Sequence, residues 1–400
     1  MDRYDAIVVG AGPVGGYLSR RLNEHGHSVL LVEEHAEIGR PFQCAGLVNP
    51  AAMDKVNMGR SVLSRIWGAN IHSPHGVTVS IGDPTRNRTN SVCRKIFDEG
   101  VVSQSIATGT DLILSSTAVS ADVHNDMVEV QIDTPDGEIT VQAKLLCGAD
   151  GAHSWVRRHF KMGRPKEMMI GFQIEVTGYD GDAGRLDMYT GSNIAPGFFS
   201  WAIPSGETTR VGTWTTPELM NGNSSEDFLN VLISNNQINH RFADCREVGR
   251  YCGPVPSGIV SKVSIPRVIL FGDAAGICKP TTGGGIGPGF DQVDMIVPKI
   301  SKNIASNSLG QNQANSVNSL MADMKRRQRR KKALRDAFLT EMSDDELEDV
   351  FSVWARPEVI ALINDVGEIE NPIPLGIKML KEVPEFRRLA TRAAKAILWG

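Results

Sequence analysis

The sequence predicts an α/β fold, α+β in its overall balance, and three observations carry that expectation. Asp5–Val9 is a continuous apolar run ending on Gly10, the pattern of a strand covered on both faces in a parallel sheet. Val268-Ile269-Leu270-Phe271 repeats the pattern far downstream, so the first domain is expected to be discontinuous, over 1–165 and 255–300. Between them, sequence from about Met169 to Thr215 alternates, is rich in aromatics and is punctuated by glycine, which predicts an antiparallel-sheet domain over 166–254.

The elements follow in order. After the first strand, a helix is expected from about Pro13 to His25, then a second strand over Ser28–Glu33, with the spacing of a right-handed βαβ crossover. Val128–Ile132, a turn at Thr134-Pro135-Asp136-Gly137 and Ile139–Ala143 read as a hairpin, followed by the apolar Leu145-Leu146-Cys147. Residues 301–400 are helical in texture. Ser343 precedes a helix start at Asp344-Asp345-Glu346, and Pro357, Pro372, Pro374 and Pro384 punctuate short later helices.

Composition bounds the function. With 41% hydrophobic and 22% charged residues in 400, the chain can bury a sizeable core, which argues against disorder. The 42 Lys+Arg against 46 Asp+Glu leave a formal charge of −4, so no nucleic-acid partner is expected. No apolar run long enough for a membrane span and no leader stand out, and the cysteines Cys44, Cys93, Cys147, Cys245, Cys252 and Cys278 form no CxxC pair. A reducing, cytoplasmic setting is expected. The histidines show no metal-ligand spacing, so no metal is expected.

Gly10-Ala11-Gly12-Pro13-Val14-Gly15 is a GxGxxG turn between strand and helix, where glycine lets a pyrophosphate approach the free N–H groups of a helix start. Gly16 extends the glycine turn. Glu33 closes the second strand, placed to accept hydrogen bonds from an adenosine ribose. A second acidic strand end, Asp273 in Phe271-Gly272-Asp273-Ala274-Ala275-Gly276, can hold the polyol of FAD, which favours FAD over NAD. Arg94, within Cys93-Arg94-Lys95-Ile96-Phe97-Asp98, is available to a diphosphate or flavin.

These motifs, with Asp150-Gly151 between them, resemble in content and order the flavoprotein group of para-hydroxybenzoate hydroxylase and the geranylgeranyl reductases, over residues 1 to about 290. The resemblance implies a Rossmann-type FAD-binding domain. Gly39–Gly46 is similar to the Pro-x-x-Cys loop that archaeal digeranylgeranylglycerophospholipid reductases place at the flavin, which implies flavin contacts for Cys44, Ala45 and Gly46. Thr281–Ile286 resembles the stretch that wraps the isoalloxazine, implying the same for Gly285 and Ile286. Ile194–Pro204 resembles the wall of the family's lipid cavity, which implicates Phe198, Phe199, Trp201 and Pro204. The chain departs from the family at Phe199 and Ile203, where a Tyr and a Phe are common.

The resemblance implies reduction of isoprenoid C=C bonds in a geranylgeranyl lipid or its diphosphate precursor. The alternatives are an FAD-dependent monooxygenase of aromatic or polyene substrates and a flavin-carrying scaffold. An isolated alkene needs a hydride on one carbon and a proton on the other, in a dry cavity. Cys44 is the candidate proton donor or steric gate, or else a packed small residue of the loop. No second strand–GxGxxG–helix unit is seen, so electrons are expected from transiently docked NADPH or a ferredoxin-like carrier. Lys325–Lys332, with seven basic residues in eight, is either a solvated helix face or a peripheral contact with an anionic membrane surface.

Overall fold

The computed structural model describes residues 3–41, 44–366, 378–379 and 381–386. Among them the strands form sheets of eight, seven and three. The first holds β1 (Arg3–Val9) at its centre, parallel both to β2 (Val29–Val32) and to the long strand Gly137–Gly148. Val268–Leu270 adds in parallel beyond Gly137–Gly148, and Asp111–Ile113 beyond β2. Ala6, Ile7, Val8, Leu145, Leu146, Val268 and Ile269 are fully buried, as the core of a sheet covered on both faces. Helix α1 (Pro13–Glu24) starts at the expected proline, and its Gly16 lies against Val101 and Val102 of the helix Arg94–Ala107.

The hairpin forms, with one difference. Gly137–Gly148 is a single strand that pairs antiparallel with Val128–Thr134 at one end and parallel with β1 at the other, so Leu145–Cys147 continues the hairpin. A second difference concerns the antiparallel sheet. Its order is Arg246–Ser257, Glu167–Thr177, Thr208–Thr215, Ser200–Ser205, Arg185–Tyr189, Gly68–His72, Thr78–Gly82. The last two strands come from the region assigned above to the first domain. Gly68–His72 enters by parallel pairing with Arg185–Tyr189, a match between segments more than a hundred residues apart that no local pattern announces.

Downstream lie the helices Ile286–Ala305, Gln311–Arg335, Asp344–Trp354 and Pro357–Val366. Ser343 caps the third as a capping box with Glu346, and Pro357 and Pro384 each begin a helical turn. Pro372, Pro374 and the last residues of the expected helical segment lie outside the described residues. No helix among the described residues is long and apolar enough to cross a membrane.

Candidate active site

A cavity of about 1260 Å3 opens at the carboxyl ends of the parallel strands and runs across to one face of the seven-stranded sheet. A drug-sized ligand fills roughly 300–1,000 Å3, so this space can take a cofactor and a substrate together.

The glycine turn forms its nucleotide end. Gly10 has φ +98° and passes so close to Ala149 that a Cβ would stand 2.5 Å from its carbonyl oxygen. A Cβ on Gly12 would meet nothing within 4 Å, and no side chain caps α1 there, so its first N–H groups face an open cradle. Gly10, Gly12 and Pro13 line the cavity. Gly15 and Gly16 lie behind it, contrary to a contact role: a Cβ on Gly15 would be 1.8 Å from Gly10 O, so these glycines serve close helix packing. Glu33 lines the cavity, accepting from the Ala11 N–H at 2.7 Å and pairing with His35 Nδ1 at 2.6 Å.

Cys44 is half-buried on the same cavity, with the Gly46 N–H directed to its Sγ at 3.3 Å. Phe42 and Gln43 of its loop lie outside the described residues. Arg94 lines the cavity but is committed to Asp98, through Nε at 3.0 Å and Nη2 at 2.7 Å, and it also hydrogen-bonds Cys44. Burial opposes the Arg94 charge, yet Asp98 and then Cys44 outweigh it and raise its pKa. Ala45 lines the cavity, whereas Gly46 does not. With φ +74°, Gly46 sits where a Cβ would strike Arg210 Nη1, and that atom donates to Ala45 O and Val92 O at 3.1 Å each. Buried Arg210 thus straps the cysteine loop to the sheet.

At the late motif, Asp273, Gly285 and Ile286 line the cavity. Burial pushes the Asp273 carboxyl up; Cys278 Sγ donates to its Oδ1 at 3.1 Å, and burial raises that thiol well above its usual value. A Cβ on Gly285 would lie 2.5 Å from the same oxygen, so only glycine lets the start of Ile286–Ala305 approach the carboxylate. Buried Gln292 bridges Gly272 N and Leu270 O, at 2.8 and 3.0 Å. Gln328 holds Gly276 O, Cys278 O and Ile259 N from the basic helix, at 3.0, 2.7 and 2.8 Å. Asp150 lines the cavity too; its Oδ2 accepts from Val156 N at 3.0 Å, while its buried Oδ1 has no partner among the described residues.

The far end is apolar. Ile71, Ile81, Leu186, Met188, Phe199, Trp201, Ile203 and Trp214 line it from successive strands. Strand alternation explains why: Trp201 and Ile203 face the cavity, so Pro204 faces away and is no part of the wall. Phe198 is also displaced from the wall. It is 2% exposed, packs on Trp214 with ring centroids 5.1 Å apart, and carries the Arg335 guanidinium 4.3 Å over its ring.

A glycine turn at a helix start, an acidic end to β2 and a late Gly-Asp turn on one cavity define a nucleotide-binding flavoprotein, and residues 3–307 match the FAD binding domain family. A digeranylgeranylglycerophospholipid reductase from Methanosarcina acetivorans is 32% identical over 297 residues, 71% of this chain and 72% of that protein. The chain belongs to the geranylgeranyl reductase family of FAD-binding proteins. A solved geranylgeranyl bacteriochlorophyll reductase-like protein from Thermoplasma acidophilum superposes with a TM-score of 0.86 at 21% identity, covering 98% of this chain and 100% of that one. A flavin-dependent brominase shares the fold, with a TM-score of 0.72 at 16% identity over 96% of this chain and 99% of its own. The residues present fit FAD: an open glycine cradle, a carboxylate at each of two strand ends, and an unpartnered buried Asp150 oxygen on the cavity.

Proposed function

We propose that this chain is an FAD-dependent reductase that saturates isoprenoid C=C bonds in the geranylgeranyl chains of a membrane lipid or its diphosphate precursor. The observation that carries the reading is one continuous cavity with a polar glycine cradle at one end and an aromatic, apolar sheet face at the other. Gly10, Gly12 and Pro13 bind the diphosphate, Glu33 the ribose, and Asp273 the polyol. Arg94, Cys44, Ala45, Gly285 and Ile286 surround the ring system. Bound FAD, once reduced, supplies hydride to one alkene carbon. Phe199, Trp201, Ile203 and Met188 hold the chain and exclude water, which an unactivated alkene tolerates and a polar substrate would not. Cys44, the thiol of the flavin loop, delivers the proton to the other carbon.

Electrons come from NADPH docking transiently or from a ferredoxin-like carrier. The outward face of Gln311–Arg335 bears exposed Arg326, Arg327, Arg329 and Arg330, suited to a peripheral contact with anionic lipid.

The test is anaerobic. Dithionite-reduced protein mixed with a geranylgeranyl lipid gives products heavier by two hydrogens per reduced bond, read by mass spectrometry. An oxygenated product in air, with no hydrogen gain without air, would transfer the assignment to a monooxygenase.

A further inference from the structure

The apolar end of the cavity is not wholly apolar. Gln173 and Trp214 are 5% and 3% exposed, stand on adjacent strands and line the cavity together. Gln173 pairs with Gly212 and Trp214 with Gly171, so the two side chains rise from one face of the sheet. Trp201 Nε1 donates to Gln173 Oε1 at 3.1 Å. An indole N–H can only donate, so the amide must present its oxygen to Trp201 and turn Nε2 away. Gln173 Nε2 and Trp214 Nε1 are both buried, and neither has a hydrogen-bond partner among the described residues. The floor beside them is bare, because Gly171 and Gly253, paired across neighbouring strands, also line the cavity and carry no side chains. A Cβ on Gly171 would find nothing nearer than 3.8 Å.

We infer that Gln173 and Trp214 form a donor pair for an uncharged oxygen on the substrate, a hydroxyl or ether oxygen attached to the isoprenoid chain. Both donors are neutral amide or indole groups, which match a neutral acceptor. The cations of the cavity wall, Arg40, Arg86, Arg88, Arg94, Arg158 and Lys279, stand on other segments, where an anionic group would be met. Buried donors also discriminate sharply: a ligand without the oxygen leaves them desolvated and unmet. The inference rests on the reductase reading and narrows it, since an oxygen-bearing prenyl chain has an anchor here and a hydrocarbon polyene has none. Anchoring one end of the chain also fixes which double bond reaches the ring.

The probes are geranylgeraniol and the hydrocarbon of the same skeleton without its hydroxyl, titrated into FAD-loaded protein and followed by flavin absorbance. Gln173→Met and Trp214→Phe should each weaken geranylgeraniol binding by about three- to tenfold more than they weaken binding of the hydrocarbon, and retain FAD. Equal losses for both probes, no loss for either, or no binding of geranylgeraniol to the wild type overturns the donor pair. Failure of the reductase reading looks different: the wild type binds the alcohol, with the oxygen-specific losses in both variants, but adds no hydrogen to it when reduced.

Discussion

Arg335 and Glu167 meet in a two-pronged ion pair, with Nη1 and Nη2 each 2.8 Å from a carboxylate oxygen, and so tie the end of the basic helix to the strand Glu167–Thr177 of the seven-stranded sheet. The same guanidinium donates to Pro280 O at 2.9 Å and engages Asp336. Arg335→Leu therefore removes the buried cation from two partly buried carboxylates and leaves Lys332 as their partner. We expect a loss of about 1.5–3 kcal/mol, read as a lowered midpoint in denaturant, from the lost charge-assisted hydrogen bonds. A loss below about 1 kcal/mol would mean that water reaches the pair and screens it.

Glu33→Gln keeps the shape of the side chain but gives up its charge at the Ala11 N–H and at His35. Glu33→Arg adds repulsion with that N–H edge. FAD retention after gel filtration should fall in the order wild type, Gln, Arg, with folding preserved by circular dichroism. Full retention by the Arg variant would remove Glu33 from the cofactor site.

Cys44→Ser keeps the size of the side chain and raises its intrinsic pKa, so proton delivery should slow by tenfold or more, on the order of one pKa-matched proton transfer, while FAD stays bound. Cys44→Ala should lose at least as much. Single-turnover reoxidation of the reduced flavin by lipid measures both. Wild-type rates in the two variants would leave Cys44 as a packing residue.

On the opposite face of the seven-stranded sheet, Asp187 accepts from His72 Nε2 at 2.8 Å, Tyr179 OH at 2.9 Å and Arg241 Nη1 at 3.1 Å. Burial alone would raise its carboxyl, but His72, Arg241 and Tyr179 together hold it below its ordinary 3.8. A carboxylate depressed on folding stabilises the fold above its unfolded pKa and loses that contribution as pH falls through the folded one. Melting temperatures should therefore show wild type above Asp187→Asn at neutral pH, with the gap closing only below about pH 4. A gap independent of pH would mean that packing, and not charge, sets the difference.

The parts of this site that local chemistry specifies could be read in the sequence. Gly10, Gly12 and Glu33 lie within one strand–turn–helix–strand unit, and Asp273 closes a buried run, so their pattern is visible without knowing what they face. Gln173, Trp214 and Arg210 carry no such mark. Gln173 and Trp214 reach the cavity, and Arg210 the cysteine loop, through the register of strands Glu167–Thr177 and Thr208–Thr215, and a one-residue slip would turn all three away. Phe198 and Pro204 were expected at the wall because their segment resembles the family's cavity wall. Pro204 falls on the opposite face of the strand from Trp201 and Ile203, and Phe198 precedes the strand and packs on Trp214 instead. Gln328 is hidden in a run of arginines and lysines that reads as a solvated surface, yet it is the buried residue of that run.

The strand Gly137–Gly148 has a consequence for how the chain is made. The neighbour of β1 on one side lies more than 130 positions later in the chain, and the strand beyond that neighbour is Val268–Leu270. The loop after it is then gripped by Gln328 and Arg335. The surroundings of the glycine turn are thus completed by residues far later in the chain. Pairings of such sequence separation form slowly and leave apolar strand edges open meanwhile. During synthesis the Ala6–Val9 stretch, paired early on one side with β2, keeps its other edge open until Gly137–Gly148 has emerged, and the sheet is completed only with Val268–Leu270.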